Sequence, residues 1–276
     1  MRNFIVAIQG SNSSFHHLSA KSFFGEDVDI LECNSFRDVC KKISNNQVDY
    51  GVMAIENKIS GGILLNYGLI EEYDLSIIGE VYLPVDLYLL TKHGTKFSDI
   101  KEIASNSMSL NQCQYFLSST DHITITEYSE PINYKELLDS KKYLAFIAGP
   151  SIEKEYDLQR ISENISDDKN NYTRFYILSK CRDYVDNPDV ASVTIEVKNE
   201  LGSLSDVLVA LKRNNINLTK IQSVPILNDN KSYYFHLDLN FKNKTELDTA
   251  LSEIEEFTIS KKVLGLYKKT NFNLSN

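Results

Sequence analysis

The sequence predicts an α/β protein of two lobes, followed by a small C-terminal unit of ferredoxin-like order. Short apolar runs rich in Ile and Val alternate with helical patterns over the first 181 residues, which is typical of parallel α/β sheets. A long β-rich run at 75–91, interrupted at Pro84, is suited to carry the chain from one lobe to the other. After a polar stretch at 182–189 the order of elements becomes β-α-β-β-α-β.

Each lobe is predicted from its own series of elements. The first lobe has strands at 4–8, 28–33 and 50–55 and helices at 15–24, 36–43 and 61–73. The second has strands at 100–105, 123–128 and 144–148 and helices at 108–117 and 133–138. A strand at 173–178 follows the polar loop 166–171. We therefore expect lobes of roughly 1–78 plus 173–181, and 79–172, with a cleft between them.

The C-terminal unit is predicted to begin after the Pro-containing linker. Its expected elements are a strand at 191–197, a helix at 203–214, a hairpin at 218–226 and 232–240, a helix at 245–257 and a strand at 263–267.

Composition excludes several classes of function. A formal net charge of −9 disfavours nonspecific binding to nucleic acid or to anionic membranes. No apolar run approaches the ~20 residues that span a bilayer, and the N-terminus lacks a signal-peptide pattern, so we expect a soluble cytoplasmic protein. The cysteines have no Cys-x-x-Cys spacing, which favours buried thiols in a reducing compartment over disulfides or zinc. They are Cys33, Cys40, Cys113 and Cys181.

Polar side chains follow apolar strands in three segments, 50–62, 105–113 and 171–175. Strand ends that precede helices are where open α/β sheets bind ligands, and helix N-termini attract anions. Arg174, beside Thr173, is suited to a bidentate grip on a carboxylate. Each segment alone is also consistent with helix capping or a surface ion pair. The residues themselves therefore indicate only a two-lobed protein with a cleft suited to anions.

These segments resemble, in order, motifs of the prephenate dehydratase family. Residues 50–57 resemble the family segment that ends in Glu-Asn-Ser/Thr, and 171–175 match Asn-x-Thr-Arg-Phe. Residues 10–15 and 105–113 are variants of Gly-Pro-x-Gly-Thr/Ser-Phe/Tyr and Ser-His-Pro-x-x-x-x-Gln-Cys. Near the C-terminus, 201–204 and 217–225 resemble the Gly-Ala-Leu and Asn-Leu-x-x-Ile-Glu-Ser-Arg-Pro motifs of ACT domains.

The resemblance implies a two-lobed catalytic domain of periplasmic-binding-protein-like type II fold at 1–181 and an ACT regulatory domain at 190–270. It also implies that prephenate loses water and carbon dioxide to give phenylpyruvate, a step toward phenylalanine that needs no metal or redox cofactor. Thr173 is then the main catalytic residue, donating a hydrogen bond or a proton to the departing hydroxyl. Asn57, Gln112 and Ser105 match the other active-site positions of the family.

The resemblance assigns substrate binding to Arg174, Glu56, Ser14, Lys58 and Asn171. Arg174 either grips a carboxylate or holds Thr173 in place. Lys58 stands where the family has a small hydroxyl residue, and it either adds charge for a dianionic substrate or blocks the pocket. The other departures from the catalytic motifs are Ser11, Ser13, Asn106 and Ser107. Since they leave the catalytic hydroxyl in place, we expect activity to be retained or reduced.

The resemblance also predicts regulation by an amino acid bound between paired ACT domains. The expected binding residues are Gly202, Ser203, Leu204, Asn217, Gln222, Ser223 and Pro225. Gln222 and Val224 replace the Glu and Arg of the ACT motif. We therefore expect a homodimer or homotetramer that L-phenylalanine inhibits more weakly than is usual in the family.

Three alternatives remain open at the level of sequence. The first is a catalytically silent amino-acid sensor, motivated by the altered motifs but opposed by the joint presence of Thr173, Asn57 and Gln112. The second is a two-lobed solute-binding module, which the missing export signal and the ACT-like tail disfavour. The third is arogenate dehydratase, whose substrate has an amine in place of the keto group of prephenate.

Overall fold

Three β-sheets organise the chain in the computed structural model, which describes residues 4–129, 132–181, 185–225 and 233–270. Within these ranges the strands are β1 (Ile5–Gln9), β2 (Asp29–Cys33), β3 (Tyr50–Asn57), β4 (Gly61–Gly62), β5 (Ser76–Pro84), β6 (Tyr88–Thr91), β7 (Glu102–Ser105), β8 (Thr124–Glu127), β9 (Leu144–Ala148), β10 (Gln159–Arg160), β11 (Tyr172–Ser179), β12 (Val190–Val197), β13 (Asn217–Pro225), β14 (Tyr233–Asn240) and β15 (Thr258–Tyr267). The α-helices are α1 (Phe15–Phe24), α2 (Phe36–Ser44), α3 (Leu64–Glu72), α4 (Ser107–Asn111), α5 (Gln114–Leu117), α6 (Tyr134–Ser140), α7 (Pro150–Glu155), α8 (Ser203–Arg213) and α9 (Lys244–Glu253). Short 3-10 turns lie at Phe97–Asp99 and Ile254–Phe257.

The first sheet has the order β2-β1-β3-β11-β5, with β4 paired to β3. Strands β1, β2 and β3 are parallel, and β11 runs antiparallel to both β3 and β5. Because β11 comes late in the chain, the first sheet is built from segments on both sides of the second lobe in sequence. The inner strands β1 and β3 are largely buried, since helices cover both sides of such a sheet, whereas the edge strand β2 has exposed Asp29 and Glu32.

The second sheet has the order β10-β6-β9-β7-β8 and forms the second lobe. Its strands β7, β8 and β9 are parallel, whereas β6 and β10 are antiparallel additions. The change of sheet falls after Pro84, because β5 stays paired with β11 as far as that residue. The sequence predicts this change between residues 78 and 79. The division into domains stays a prediction; in the structure, strand pairing in the first sheet continues to Pro84.

The C-terminal unit is a four-stranded antiparallel sheet of order β13-β14-β12-β15, with α8 and α9 packed on one face. Its other face packs directly on the first lobe. Val190, Leu264 and Tyr267 share one hydrophobic core with Tyr176 and Ile77. The contact is close: a Cβ added at Gly265 would lie 1.9 Å from the carbonyl oxygen of Ile77. The β-α-β-β-α-β order predicted from the sequence is confirmed.

Most elements end within a few residues of their predicted bounds, and caps explain several of the starts. Ser14, Ser35 and Asn106 accept hydrogen bonds from backbone N–H groups in the first turns of α1, α2 and α4. The single helix predicted at 108–117 is instead two helices, α4 and α5, separated by residues 112–113. Helix α7 and strand β10 were not predicted. No helix within the described residues is long and apolar enough to cross a membrane.

Candidate active site in the cleft between the lobes

A cavity of about 440 Å³ lies between the first two sheets. It is bordered by segments that follow the carboxyl ends of β1, β7 and β9, together with Thr173 and Phe175 of β11. These strand ends are where open α/β sheets bind ligands, because helix N-termini and loop amides gather there. The predicted cleft is therefore present, and residues of the polar segments 105–113 and 171–175 line it.

Thr173 stands on the cavity side of β11, directly opposite Asn57 of β3. Asn57 Nδ2 donates a hydrogen bond to Thr173 Oγ1 at 3.1 Å. Both side chains are buried, at 5% and 2% exposure. Because the threonine oxygen already accepts from an amide, its own proton is free to point into the cavity. The same donor stabilises negative charge on this oxygen, which makes the hydroxyl a better hydrogen-bond donor.

A chain of buried amides fixes this arrangement. Backbone N–H groups of Ile59 and Ser60 donate to Asn57 Oδ1 at 2.9 and 3.0 Å, so the other end of that amide must be the nitrogen. Asn57 Nδ2 donates to Asn171 Oδ1 at 2.9 Å, and Asn171 Nδ2 in turn donates to Gln112 Oε1 at 2.7 Å. The amide of Gln112, which lines the cavity, is left with its N–H groups to offer there.

The described lining of the cavity includes polar side chains and has no formal cation. Among its described lining residues there is no Lys or Arg, and burial lowers the pKa of His16 to about 4, which leaves it neutral at pH 7. Glu127 is the one acidic side chain of that lining. The groups suited to an anion are serine hydroxyls and the N-terminus of α1, capped by Ser14.

The model of the family described as prephenate dehydratase matches residues 6–183 of the chain. The chain belongs to the prephenate dehydratase family. The bifunctional chorismate mutase/prephenate dehydratase of Aquifex aeolicus is 30% identical over 266 residues, covering 96% of this chain and 73% of that protein. The predicted family and enzyme class are thereby confirmed: the chain is an enzyme of the hydro-lyase type.

Two solved structures show the fold alone, because each is only 21% identical to the chain. The prephenate dehydratase from Arthrobacter aurescens, solved in complex with L-Phe, superposes with a TM-score of 0.85 over 96% of this chain and 90% of its own. GqqA, described as a novel type of quorum-quenching acylase, superposes with a TM-score of 0.83 over 97% and 98%. The predicted fold class, two α/β lobes with a ferredoxin-like tail, is confirmed. A fold shared by two such activities leaves function to the site.

The structure brings together three of the four residues predicted to be catalytic, since Thr173, Asn57 and Gln112 belong to one hydrogen-bonded group. Ser105 does not fit that role. Its Oγ donates to the carbonyl oxygen of Ile147 at 2.6 Å, which ties β7 to β9, and it does not line the cavity. The hydroxyl of Ser105 stabilises the second sheet, because its one proton is already donated to the carbonyl oxygen of Ile147.

Of the residues predicted to bind substrate, Ser14 lines the cavity, and Asn171 supports the site from behind as part of the amide chain. Arg174 and Glu56 do not line the cavity, because alternation along the two strands places them on the face opposite to the hydrogen bond between Asn57 and Thr173. Arg174 binds Glu80 and Asp238, and Glu56 pairs with Lys220 of β13. The proposed grip of Arg174 on a carboxylate is therefore corrected.

Lys58 likewise does not line the cavity. Its ammonium nitrogen lies 2.6 Å from a carboxylate oxygen of Asp168, in the loop that precedes β11. Neither of its predicted effects, added charge or a blocked pocket, fits this position.

The predicted amino-acid-binding residues fall into two groups. Gly202, Ser203 and Leu204 line a second cavity of about 260 Å³, together with Tyr233 and Phe235 of β14. Gly202 has a φ of 91°, a conformation that favours glycine. The remaining residues lie on strand β13 and do not line this cavity; they are Asn217, Gln222, Ser223 and Pro225. Gln222 points toward the first lobe, where its Oε1 would lie 2.8 Å from a Cβ added at Gly62.

Sequence reasoning missed two parts of the site. His16 packs edge-on against Phe175 at 5.1 Å between ring centroids, and its Nε2 accepts from the N–H of Ala54 at 3.4 Å. No local sequence pattern predicts a role for His16 in the site. The segment Gly149-Pro150-Ser151 opens α7 at the cavity, and its signal was readable, since proline at the first position of a helix after a buried strand is a common helix start.

Proposed function

We propose that the cleft converts prephenate to phenylpyruvate, with Thr173 donating a hydrogen bond and then a proton to the departing hydroxyl. The observation that carries this proposal is the hydrogen bond from Asn57 Nδ2 to Thr173 Oγ1, which leaves the threonine proton free to point into the cavity. Donors aimed at developing charge in a dry site are among the largest catalytic effects of enzymes.

The electron balance of the reaction fits these groups. The bond from the ring to its carboxylate breaks and its electron pair completes the aromatic ring, while the bond from the ring to the hydroxyl breaks on the other side. Hydroxide leaves with a proton from Thr173 as water, and Thr173 regains a proton from solvent. The Asn57 donor lowers the cost of the transient charge on Thr173 Oγ1.

A cavity lining without cations also favours loss of carbon dioxide. A Lys or Arg beside the ring carboxylate would stabilise the ground state more than the transition state, where that charge is moving into the ring. The described lining holds anions through hydroxyl groups, the Gln112 amide and the N-terminus of α1. Such dipoles orient the substrate while leaving the carboxylate able to depart.

The decisive experiment is an assay of phenylpyruvate formation from prephenate by the purified protein, in the presence of EDTA. We expect turnover without added metal or nucleotide. Absence of turnover by folded protein would contradict the proposal and favour the silent amino-acid sensor.

Arogenate is a second candidate substrate, favoured by one observation. Glu127 is the one carboxylate of the described cavity lining, and an ammonium group on the substrate would be attracted to it. The ratio of kcat/KM for the two substrates decides between them. Glu127→Gln should lower kcat/KM for arogenate and leave that for prephenate unchanged or raised, because it removes a negative charge near the substrate.

For the C-terminal unit we propose an ACT regulatory domain at 190–270 that binds L-phenylalanine at the cavity beside Gly202. The L-Phe complex of the Arthrobacter protein supports this proposal, as do the backbone N–H groups of that loop, which suit a ligand carboxylate. A homodimer or homotetramer paired through these units would bring the β13 residues of one copy to the cavity of another. Titration calorimetry with phenylalanine and the mass of the protein in solution test both parts.

A further inference from the structure

Two charged pairs face each other where the C-terminal sheet packs on the first lobe. In the first sheet Glu56 of β3 lies directly opposite Arg174 of β11. In the C-terminal sheet Lys220 of β13 lies directly opposite Asp238 of β14. Across the interface Glu56 pairs with Lys220, and Arg174 lies 2.6 Å from Asp238. Each charge therefore has an opposite charge beside it in its own sheet and another across the interface, and Arg174 also binds Glu80 of β5; we call Glu56, Arg174, Lys220 and Asp238 the charge tetrad.

The tetrad lies directly behind the reacting groups. Glu56 adjoins Asn57 and Arg174 adjoins Thr173, and alternation along a strand sends neighbouring side chains to opposite faces. One face of this two-strand segment thus carries the hydrogen bond from Asn57 to Thr173, and the other carries two ion pairs to the C-terminal unit. A shift of either ion pair moves the backbone that holds the catalytic side chains.

Burial makes the tetrad selective for one arrangement. The side chains of Arg174 and Asp238 are 5% and 1% exposed, and those of Lys220 and Glu56 are 13% and 22% exposed. Buried ion pairs contribute little net stability because of desolvation, but a misplaced buried charge is costly, so they fix register well. Like charges placed opposite each other on neighbouring strands would repel. The alternating pattern therefore specifies how β13 and β14 sit on β3 and β11.

The same strand also reaches the second cavity. Tyr233 and Phe235 of β14 line the cavity beside Gly202, and Asp238 lies three residues further along the strand. A ligand bound at that cavity would contact the strand that carries Asp238.

We propose that Lys220 and Asp238 are positioning residues for the dehydration step, and that the charge tetrad couples the C-terminal unit to Thr173 and Asn57. The inference rests on the proposed prephenate reaction. It assigns to the C-terminal unit a direct part in setting turnover, exerted on the two reacting strands from behind.

The test uses the full chain with Lys220→Met, which removes one charge and keeps most of the side-chain volume. We expect kcat for prephenate to fall about fivefold to tenfold with KM within about twofold, as for the loss of an interaction that positions catalytic groups. Lys220→Arg should restore kcat, because it restores the charge. Lys212→Met, an exposed lysine at the end of α8, removes the same charge from the same unit away from the interface and should leave kcat unchanged.

A charge exchange separates the tetrad from a simple tether. Glu56→Lys combined with Lys220→Glu keeps an ion pair across the interface but places like charges opposite each other within both sheets. If the ion pair only held the two units together, this exchange would restore kcat, whereas the tetrad predicts that kcat stays low. Melting temperatures of all variants are measured in parallel, so that kcat is compared only among variants that are folded at the assay temperature.

Amide hydrogen exchange provides a reading that does not depend on prephenate. In Lys220→Met the amides of Asn57 and Thr173 should exchange faster than in Lys212→Met. A wild-type protein without turnover but with this difference in exchange would refute the proposed reaction and keep the coupling. Wild-type kcat together with unchanged exchange in Lys220→Met would overturn the inference.

Discussion

Replacing Asn57 by aspartate inverts the hydrogen bonding of the site with almost no change in shape. The two N–H groups of Asn57 Nδ2 are shared among three acceptors: Asn171 Oδ1 at 2.9 Å, the carbonyl oxygen of Tyr172 at 2.9 Å and Thr173 Oγ1 at 3.1 Å. In Asn57→Asp an acceptor takes the place of this donor. Thr173 then turns its proton toward the new carboxylate and away from the cavity. Asn171 reverses its amide to donate in the opposite direction.

That reversal carries through to the cavity. With its amide reversed, Asn171 presents oxygen to Gln112, which must reverse as well and then offers Oε1 to the substrate in place of its N–H groups. The cavity loses two donors. Since removal of one such donor costs roughly 10²- to 10³-fold in kcat, we expect Asn57→Asp to lower kcat by at least about 10³-fold. The carbonyl of Tyr172 cannot reverse, so stability should fall by about 1 to 3 kcal/mol.

The assay follows phenylpyruvate formation over a range of prephenate concentrations, with melting curves for the same preparations. Asn243→Asp is the control, because it makes the same chemical change at the exposed cap of α9, where aspartate caps equally well. We expect its kcat to match that of the wild type. A folded Asn57→Asp protein whose kcat stays within about threefold of wild type would refute the idea that this amide directs the Thr173 proton.

Three further predictions concern single side chains. Thr173→Ala should lower kcat on the order of 100-fold or more with a smaller change in KM, and a variant with wild-type turnover would exclude Thr173 from the chemistry. Ser105→Ala should keep kcat within about threefold and lower the free energy of unfolding by about 1 kcal/mol, because its hydroxyl only joins β7 to β9. A large loss of kcat at normal stability would show that Ser105 takes part in catalysis. Burial acts to raise the pKa of Asp238, but Arg174 and hydrogen-bond donors outweigh it and hold that pKa below its ordinary value. Because the folded-state pKa is lowered, the stability contributed by Asp238 is fully present above the unfolded pKa of about 3.9 and is lost as pH falls further. Melting temperatures below pH 4 should therefore depend less on pH in Asp238→Asn than in the wild type. Equal dependence on pH would argue against a role of this carboxylate.

Local pattern was enough to predict most elements, because strands and helices follow from hydrophobic periodicity within a few residues. The strand at 144–148 and the helix at 15–24 have exactly their predicted bounds. The pairing of Thr173 with Asn57 could be expected only through family motifs, since 116 residues separate them along the chain. No periodicity relates two positions so far apart.

Which face of a strand each side chain takes was decided by tertiary structure. The sequence places Thr173 beside Arg174 and Asn57 beside Glu56, and it suggested that all four serve the substrate. Folding sends Thr173 and Asn57 to the cleft and the two charged residues to the C-terminal sheet, because β13 and β14 offer Lys220 and Asp238 there. The sequence by itself determined most of the elements and the family, and it predicted Thr173 as the reacting hydroxyl. The roles of Arg174, Glu56, Ser105 and Lys58 depended on partners distant in sequence, which only the packed chain brings within hydrogen-bonding reach.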